Sequence, residues 1–186
     1  NISSSAVLVV CKDIHENSNS ARSISFVTSP LSKGSAINQL DVCILSALEI
    51  DTDYNVNVLT GSDGVIRGAS GGHSDTSAAA NLSLVISPLV RGRLATVVDE
   101  VVTVVTPGDS VDVLVTEIGI AINPRRVDLV EAFKDLDVPQ FSIDELRDKA
   151  YAIVGEPKPL EFGDKTVALV EYRDGTVIDV VNNVDE

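Results

Sequence analysis

The chain has 186 residues, of which 44% are hydrophobic and 23% charged, and its formal net charge is −14. This composition is typical of a globular chain and predicts a single domain over residues 1–186. The negative charge argues against nucleic-acid or anionic-lipid binding, and the longest apolar run, residues 6–11, is far shorter than the roughly 20 residues of a membrane helix.

Cysteine and histidine usage is sparse. Cys11 and Cys43 each lie in an apolar stretch, so we interpret both as buried thiols in a reducing, cytoplasmic protein. The two histidines, His15 and His73, and the absence of a CxxC motif predict no metal site. We expect His15 to lie at the surface. The chain has no Met and no leader pattern, which indicates a fragment or an altered chain rather than a precursor with a signal sequence.

The first third of the chain predicts short strands. The apolar runs at 6–11 and 24–28 predict two of them. The nearly continuous apolar run at 40–48 is typical of a strand buried on both faces of a parallel sheet. The acidic residues 49–54 predict a turn, and residues 55–59 alternate between polar and apolar.

The middle of the chain is rich in valine and small residues. Ser62-Asp63-Gly64 predicts a tight turn. If residues 75–80 start a helix, its N-terminal dipole would favour an anion there. Further strands are predicted at 82–87, 94–98, 101–105, 111–116 and 118–122.

The last third predicts two helices and a hairpin. Asn123 and Pro124 predict an N-cap and a first helical residue, and the apolar stripe of that helix is Leu129, Val130, Phe133 and Leu136. Ser142 and Glu145 form a capping box that predicts a second helix to about residue 154. Strands at 167–172 and 176–181 flank an Asp-Gly turn. The fold class is therefore α/β, with a mainly parallel Rossmann-like sheet, flanking helices and a C-terminal β-hairpin.

Residues 68–75, GASGGHSD, form the segment that we call the glycine loop. Glycines let a backbone approach a ligand closely, and consecutive N–H groups can bind an anion. The segment matches neither the dinucleotide fingerprint nor the P-loop, so a purely structural turn is the alternative. Although Ser74 and Asp75 follow His73, we reject a catalytic triad, because adjacent residues rarely face each other in the required order. We interpret His73 as a hydrogen-bonding residue that orders the loop.

Three carboxylates, Glu49, Asp51 and Asp53, directly follow the predicted strand at 40–48. Ligands of open α/β sheets bind beyond the carboxyl ends of strands, so acid, base or nucleophile roles are open to these residues. The alternative is a solvated acidic turn.

Four arginines could bind an anion. Arg125 and Arg126 fall in the predicted first turn of a helix, where the helix dipole disfavours cations, and this indicates either an anionic partner or ion pairs with Asp128 or Glu131. Arg91 and Arg93 flank a glycine and predict an anion clamp or a surface loop.

Two long strings resemble a known family. LDVCILSALEIDTDYNVNV at 40–58 and GVIRGASGGHSDTSAAANLSLVISPLVRGR at 64–93 resemble the citrate lyase α subunit family, within the coenzyme A transferase superfamily. The similarity continues through 103–126 and 167–181 and covers nearly the whole chain from about residue 34. It implies a coenzyme A transferase-like fold and the C-terminal half of a larger subunit.

The resemblance also implies an activity. Family members act as citrate CoA-transferases, which exchange the acetyl group on the thioester of an acyl carrier protein for citrate and release acetate. The chain itself would bind no cofactor and no metal, and would act on the dephospho-coenzyme A-derived prosthetic group of the carrier. The implied partners are citrate, the acyl carrier protein (the γ subunit), the citryl lyase β subunit and the N-terminal half of the same subunit, in an oligomer.

Site residues follow from the resemblance by position. Asn55 and Asn57 belong to a GNVN-type turn in which Tyr54 replaces the usual glycine, and residues 68–72 match a GxGG loop near the acyl group. No ENG-type motif supplies an acyl-accepting glutamate, so Glu49 is the catalytic candidate by position only, and direct attack of citrate on the thioester is the alternative.

The remaining expectations concern the oxyanion and citrate. Backbone amides of the glycine loop would stabilise the oxyanion, and polar and basic side chains would hold citrate. The binding residues proposed on this basis are Gly68, Ser70, Gly71, Gly72, His73, Ser74, Asn55, Asn57, Arg91, Arg93, Arg125 and Arg126. The alternatives are a coenzyme A transferase or thioester hydrolase for another short acid, and a non-catalytic assembly domain.

Overall fold

The computed structural model describes residues 36–184. The strands expected at 6–11 and 24–28, together with Cys11 and His15, lie outside the described residues. The strands are β1 Val42–Leu45, β2 Glu49–Asp51, β3 Val56–Asn57, β4 Leu82–Ile86, β5 Val90–Arg91, β6 Leu94–Ala95, β7 Val97–Val98, β8 Val113–Thr116, β9 Gly119–Ile122, β10 Phe162–Glu171 and β11 Val177–Val184. The helices are α1 His73–Ala79, α2 Val127–Phe133 and α3 Ile143–Val154, and 3₁₀ turns lie at Ala36–Gln39 and Gly108–Ser110.

The largest sheet has the strand order β1-β4-β8-β9. Strands β1, β4 and β8 are parallel, with Ile44 opposite Leu84 and Leu84 opposite Val113, and β9 is antiparallel to β8. A second sheet, in the order β3-β2-β7, also contains a parallel pair, β2 with β7. The predicted α/β class with parallel strands is therefore confirmed.

Small side chains let α1 lie close to the sheet. Ser77 Oγ of α1 is 2.8 Å from Ser83 Oγ of β4, and Ser83 Oγ also accepts a hydrogen bond from the Cys43 thiol at 3.4 Å. Cys43 is buried and unpaired with another cysteine, as the sequence predicted, and burial raises the pKa of its thiol. This cysteine therefore behaves as a small core residue.

The core joins both sheets and α3. It includes Ile50 of β2, Val85 of β4 and Leu114 of β8, all 0% exposed. Helix α3 adds Ile143, Leu146 and Ala150 to it. Within residues 36–184, no helix is long and apolar enough to cross a membrane.

Two predicted strands differ from the structure. In β1, Cys43 and Leu45 are buried but Val42 and Ile44 are 43% and 39% exposed, so the expectation of burial on both faces is wrong for the described part of the chain. The strand predicted at 101–105 is also wrong. This segment joins no strand ladder, although the Val105 amide donates to the carbonyl of Val56 at 3.0 Å.

Helix α2 begins later than predicted. Asn123 does not cap it, because its Oδ1 accepts from the Arg125 amide at 3.1 Å, in a turn before the helix whose N-cap is Arg126. Its Nδ2 group donates to the carbonyls of Gly108 and Val111, at 2.9 and 2.8 Å. The helix instead starts at Val127 and buries none of its residues, so its apolar stripe covers no described core.

The predicted capping box and the two predicted turns are confirmed. Ser142 and Glu145 form the predicted capping box at the start of α3. The Asp-Gly turn joins β10 to β11, which pair over a longer range than predicted. The Ser62-Asp63-Gly64 segment makes a tight turn, in which the Gly64 amide donates to the carbonyl of Gly61 at 2.8 Å.

Candidate functional site

His73 fastens the glycine loop to the end of β1. Its Nε2 lies 3.0 Å from the carbonyl oxygen of Ser46, and its Nδ1 lies 2.6 Å from Thr106 Oγ1. Because a carbonyl only accepts, Nε2 donates the proton and Nδ1 accepts from the threonine hydroxyl. Burial lowers the pKa of His73, which favours this neutral form. This arrangement agrees with a loop-ordering role.

The glycine loop rests on the segment after β3. The Gly68 amide donates to the carbonyl of Leu59 at 3.3 Å, and a Cβ at position 68 would lie 2.4 Å from the carbonyl oxygen of Val58. Glycine is therefore required at this close approach. Gly71 is exposed with φ of +52°, in the left-handed region. Neither the Gly71 nor the Gly72 amide has a hydrogen-bond acceptor among the described residues, so both can donate to a ligand.

The two serines of the loop have different surroundings. Ser70 is exposed, and its carbonyl accepts a hydrogen bond from the His73 amide at 3.0 Å. Ser74 is buried in the first turn of α1. Of the two, Ser70 is the one whose position leaves it accessible.

Arg91 lies at the carboxyl ends of β1 and β4, and Arg93 lies in the turn between β5 and β6. The Arg91 guanidinium donates to the carbonyl of Ala47 at 2.7 Å and to Ser87 Oγ at 3.3 Å, and these two residues follow β1 and β4. Arg93, two residues later, is exposed, and its side chain has no hydrogen bond or ion pair within residues 36–184. Arg93 is thus a cation without an internal partner in this part of the chain.

Arg126 lies at the opposite end of the sheet. It pairs with Asp112 at 2.7 Å and with Asp128 at 2.8 Å, and its Nη1 donates to the carbonyl of Asn81 at 3.2 Å. Asn81 precedes β4 and Asp112 precedes β8, so these contacts mark the amino ends of the strands. The predicted ion pair with Asp128 is confirmed, and the pair with Asp112 was not predicted. The exposed Arg125 is adjacent in sequence.

The four arginines consequently do not form one cluster. Since β4 has five residues, its two ends are about 13 Å apart. Arg91 bonds groups beyond the carboxyl end of this strand, and Arg126 bonds a group before its amino end. The glycine loop shares the carboxyl end, through His73 and Ser46.

Glu49 is enclosed at the start of β2, where it is 2% exposed. One carboxylate oxygen accepts from Ser62 Oγ, and the other accepts from Asn57 Nδ2 at 3.2 Å. Burial raises the pKa of Glu49. Asp51 is also 2% exposed, whereas Asp53 is exposed. The alternative of a solvated turn is therefore wrong for Glu49 and Asp51, because β2 is an internal strand.

Asn57 extends the Glu49 contacts into a buried polar network. Its Nδ2 also donates to Thr60 Oγ1 at 3.0 Å, and Thr60 Oγ1 is 2.9 Å from Thr103 Oγ1. The Oδ1 of Asn57 accepts from the amides of Leu59 and Thr60, both at 3.0 Å. Since Leu59 also holds Gly68, this network supports the base of the glycine loop.

Asn55 belongs to a different set of contacts. Its Oδ1 accepts from the Gly108 amide at 3.0 Å, and its Nδ2 donates to Asp51 Oδ2 at 3.1 Å. The preceding residue, Tyr54, has φ of +67°, which explains why a glycine suits this position in the family's turn. Asn55 therefore stabilises the turn between β2 and β3 and is not part of the hydrogen-bond network of Asn57 and Glu49.

Several residues of this region were not identified from the sequence. Ser62, Thr60 and Thr103 complete the Glu49 network, and Arg67 pairs with Asp63 at 2.5 Å beside the glycine loop. Arg67 could have been identified from the sequence, since it is the lone cation between Lys33 and Arg91. The three hydroxyl residues could not, because a buried hydrogen-bond network depends on tertiary contacts. No group of three or more His, Cys, Asp or Glu side chains suited to a metal ion occurs within residues 36–184.

The geometry can be compared with known proteins. A solved α subunit of citrate lyase from Streptococcus mutans, in complex with citrate, has 73% sequence identity and a TM-score of 0.83, covering 86% of this chain and 31% of that one. The citrate lyase alpha chain of Haemophilus influenzae is 59% identical over 155 residues, which are 83% of this chain and 31% of the relative. The Escherichia coli chain is likewise 59% identical over 155 residues, or 30% of its length.

The chain thus spans about a third of the length of these relatives, which is less than the half that the resemblance implied. A sequence model of the family described as "Citrate lyase, alpha subunit (CitF)" matches residues 5–184. The chain therefore belongs to the citrate lyase α subunit family.

Proposed function

We propose that this chain carries part of the site at which citrate is exchanged for acetyl on the thioester of an acyl carrier protein. The observation that carries this proposal is the likeness to the Streptococcus mutans α subunit that was solved with citrate, at 73% identity and a TM-score of 0.83. The free amides and the unpaired arginine at the carboxyl end of the sheet support it, because ligands of α/β sheets bind at that end.

Each step of the exchange has a candidate residue. A citrate carboxylate oxygen attacks the acetyl thioester carbon, the carrier thiolate leaves, and a mixed anhydride forms. The thiolate then attacks the citryl carbonyl, and acetate leaves. The amides of Gly71 and Gly72 stabilise the oxyanion in each step, and Arg93 holds a second citrate carboxylate. The Arg91 guanidinium donates to the carbonyl of Ala47, and this hydrogen bond fixes the position of the β5–β6 turn that contains Arg93.

The proposal includes the partners of the reaction. The thioester belongs to the dephospho-coenzyme A-derived prosthetic group of the acyl carrier protein, so this chain binds no cofactor of its own. The β subunit cleaves the citryl group afterwards, and the remainder of the α subunit completes the oligomer. The presence of two cysteines in 186 residues supports a cytoplasmic reaction.

Replacing Arg93 tests the proposal. In the assembled complex, Arg93→Gln should raise the KM for citrate about 10- to 100-fold, because a hydrogen bond to a charged group contributes about 1.5–3 kcal/mol. The assay follows acetate release and citryl-carrier formation by mass spectrometry from acetylated carrier and citrate.

The matched control is Lys158→Gln, which removes an exposed positive charge from the segment between α3 and β10. It should leave the KM for citrate unchanged. Equal kinetics in the wild type and both variants would remove Arg93 from the citrate site. Absence of exchange in the wild-type complex would contradict the proposed function.

A further inference from the structure

A cavity of about 150 Å³ lies between the β10–β11 hairpin and the turn that follows β3. Thr60 and Gly64 line it from the turn, Val102 and Thr103 from the segment before β8, and residues 179–182 with Val184 from β11. A Cβ at Gly64 would lie 2.6 Å from Val184 Cγ2. The glycine therefore lets the end of the hairpin come close enough to form the wall.

The cavity has hydroxyl groups on one side. Thr60 Oγ1 and Thr103 Oγ1 are 2.9 Å apart, and Thr60 also accepts from Asn57, which bonds Glu49. On the hairpin side, Asp179 Oδ2 accepts from the Val104 amide at 2.6 Å, which fastens the hairpin here. The cavity therefore borders the Glu49 network directly, through Thr60 and Thr103.

The charge of the walls restricts the ligand. No Lys, Arg or His among the described residues lines the cavity, and Asp179 is part of its wall. A polycarboxylate would be repelled there and would have no cation to bind. Phe162 and Val102 supply apolar surface. These walls suit a neutral ligand with a carbonyl group that accepts from a hydroxyl.

The volume also limits the ligand. Sites for drug-sized molecules are about 300–1,000 Å³, whereas a cavity of about 150 Å³ holds a molecule as small as benzene. The space therefore accommodates the end of a molecule or a small fragment.

We propose that this cavity binds a small neutral acyl compound, an amide or a thioester. The inference rests on the proposed function only for the natural ligand, which would then be an amide of the carrier's prosthetic group. The reacting thioester carbon would lie at the Gly71 and Gly72 amides, where the citrate carboxylate attacks it.

Direct binding of a neutral probe tests this. The probe is S-acetyl-N-acetylcysteamine, titrated into the full chain by calorimetry. Val102→Phe should fill the cavity and weaken binding about tenfold or more. Val177→Phe is the control, because Val177 belongs to β11, is 54% exposed and does not line the cavity. It should leave the affinity unchanged.

A second variant keeps the test decisive if Val102→Phe unfolds. Phe162→Ala removes an apolar wall from a residue that is 47% exposed, and should weaken binding about threefold while the thermal transition stays cooperative. Acetate, the anionic counterpart, should not bind at the concentrations that saturate the chain with the thioester.

Equal affinity of the wild type, the cavity variants and Val177→Phe would overturn the inference, as would acetate binding as tightly as the thioester. These outcomes do not depend on turnover. A chain that binds the probe in the cavity but fails to exchange acetyl for citrate would contradict the proposed function and leave the cavity site standing.

Discussion

The Glu49 carboxyl group is buried beside two donors, Ser62 and Asn57, and burial raises its pKa despite these hydrogen bonds. In the unfolded chain a glutamate has a pKa of about 4.3. Between that value and the raised value, the folded state binds more protons than the unfolded state. The stabilising contribution of the proton is complete below the unfolded pKa and is lost as the pH rises through the folded pKa.

Glu49→Gln should therefore change how stability depends on pH. Glutamine fits the site, since its carbonyl can accept from Asn57 and its amide can donate to Ser62. Relative to the wild type, the variant should gain free energy of unfolding as the pH rises from 4 to 8, by about 1.4 kcal/mol in total for each pH unit by which the pKa is raised. Urea unfolding at the two pH values measures this.

Glu100→Gln is the control, because Glu100 is exposed. Its stability relative to the wild type should be the same at both pH values. If Glu49→Gln behaved like this control, the Glu49 carboxyl would not have a raised pKa.

For single residues, the sequence identified which side chains belong to the candidate site better than it predicted their burial and hydrogen-bond partners. Asn57 and Glu49 were both identified as site candidates, and they are hydrogen-bonded to each other. Their burial was not predictable, because it depends on Thr60, Ser62 and Thr103, which reach them through turns and a distant segment. Arg126 shows the same limit, since its partner Asp112 comes from the segment before β8.

Elements that are determined by neighbouring residues occur at the positions predicted from the sequence. The capping box at Ser142 and the Asp-Gly turn of the hairpin need only neighbouring residues. The segment at 101–105 has a high proportion of β-branched residues and yet is not a strand. Its geometry is set by contacts with Val56 and Asp179. Strand propensity describes a residue that fits a half-buried sheet, and this segment lies between two sheets.

The capping box provides a test at the same scale. Ser142→Ala removes the side chain that accepts from the Glu145 amide at 3.2 Å and should lower the free energy of unfolding by about 1 kcal/mol. In a chain of this size, this corresponds to a melting temperature lower by about 2–4 °C. Thermal unfolding followed by circular dichroism measures it.

Ser142→Thr is the matched control, since it keeps the hydroxyl and should retain most of the stability. A threonine variant as unstable as the alanine variant would show that the capping hydrogen bond does not stabilise α3.

For the whole molecule, the net charge of −14 argues against nucleic acid and anionic lipid as partners, but it does not show where a ligand binds. The sheet topology supplies the location. Because β1, β4 and β8 are parallel, their carboxyl ends share one edge, and His73 of the glycine loop and Arg91 both bond backbone groups at that edge. Sequence reasoning grouped Arg125 and Arg126 with them, since the direction in which each strand runs is a property of the folded sheet.

We propose that citrate binds at this carboxyl edge, and a crystal structure of the full α subunit with citrate would locate it. Our account predicts a citrate carboxylate on the Arg93 guanidinium, with another carboxylate oxygen within hydrogen-bond distance of the Gly71 or Gly72 amide. Citrate bound instead beside Arg125, at the amino ends of the strands, with Arg93 facing solvent, would contradict it.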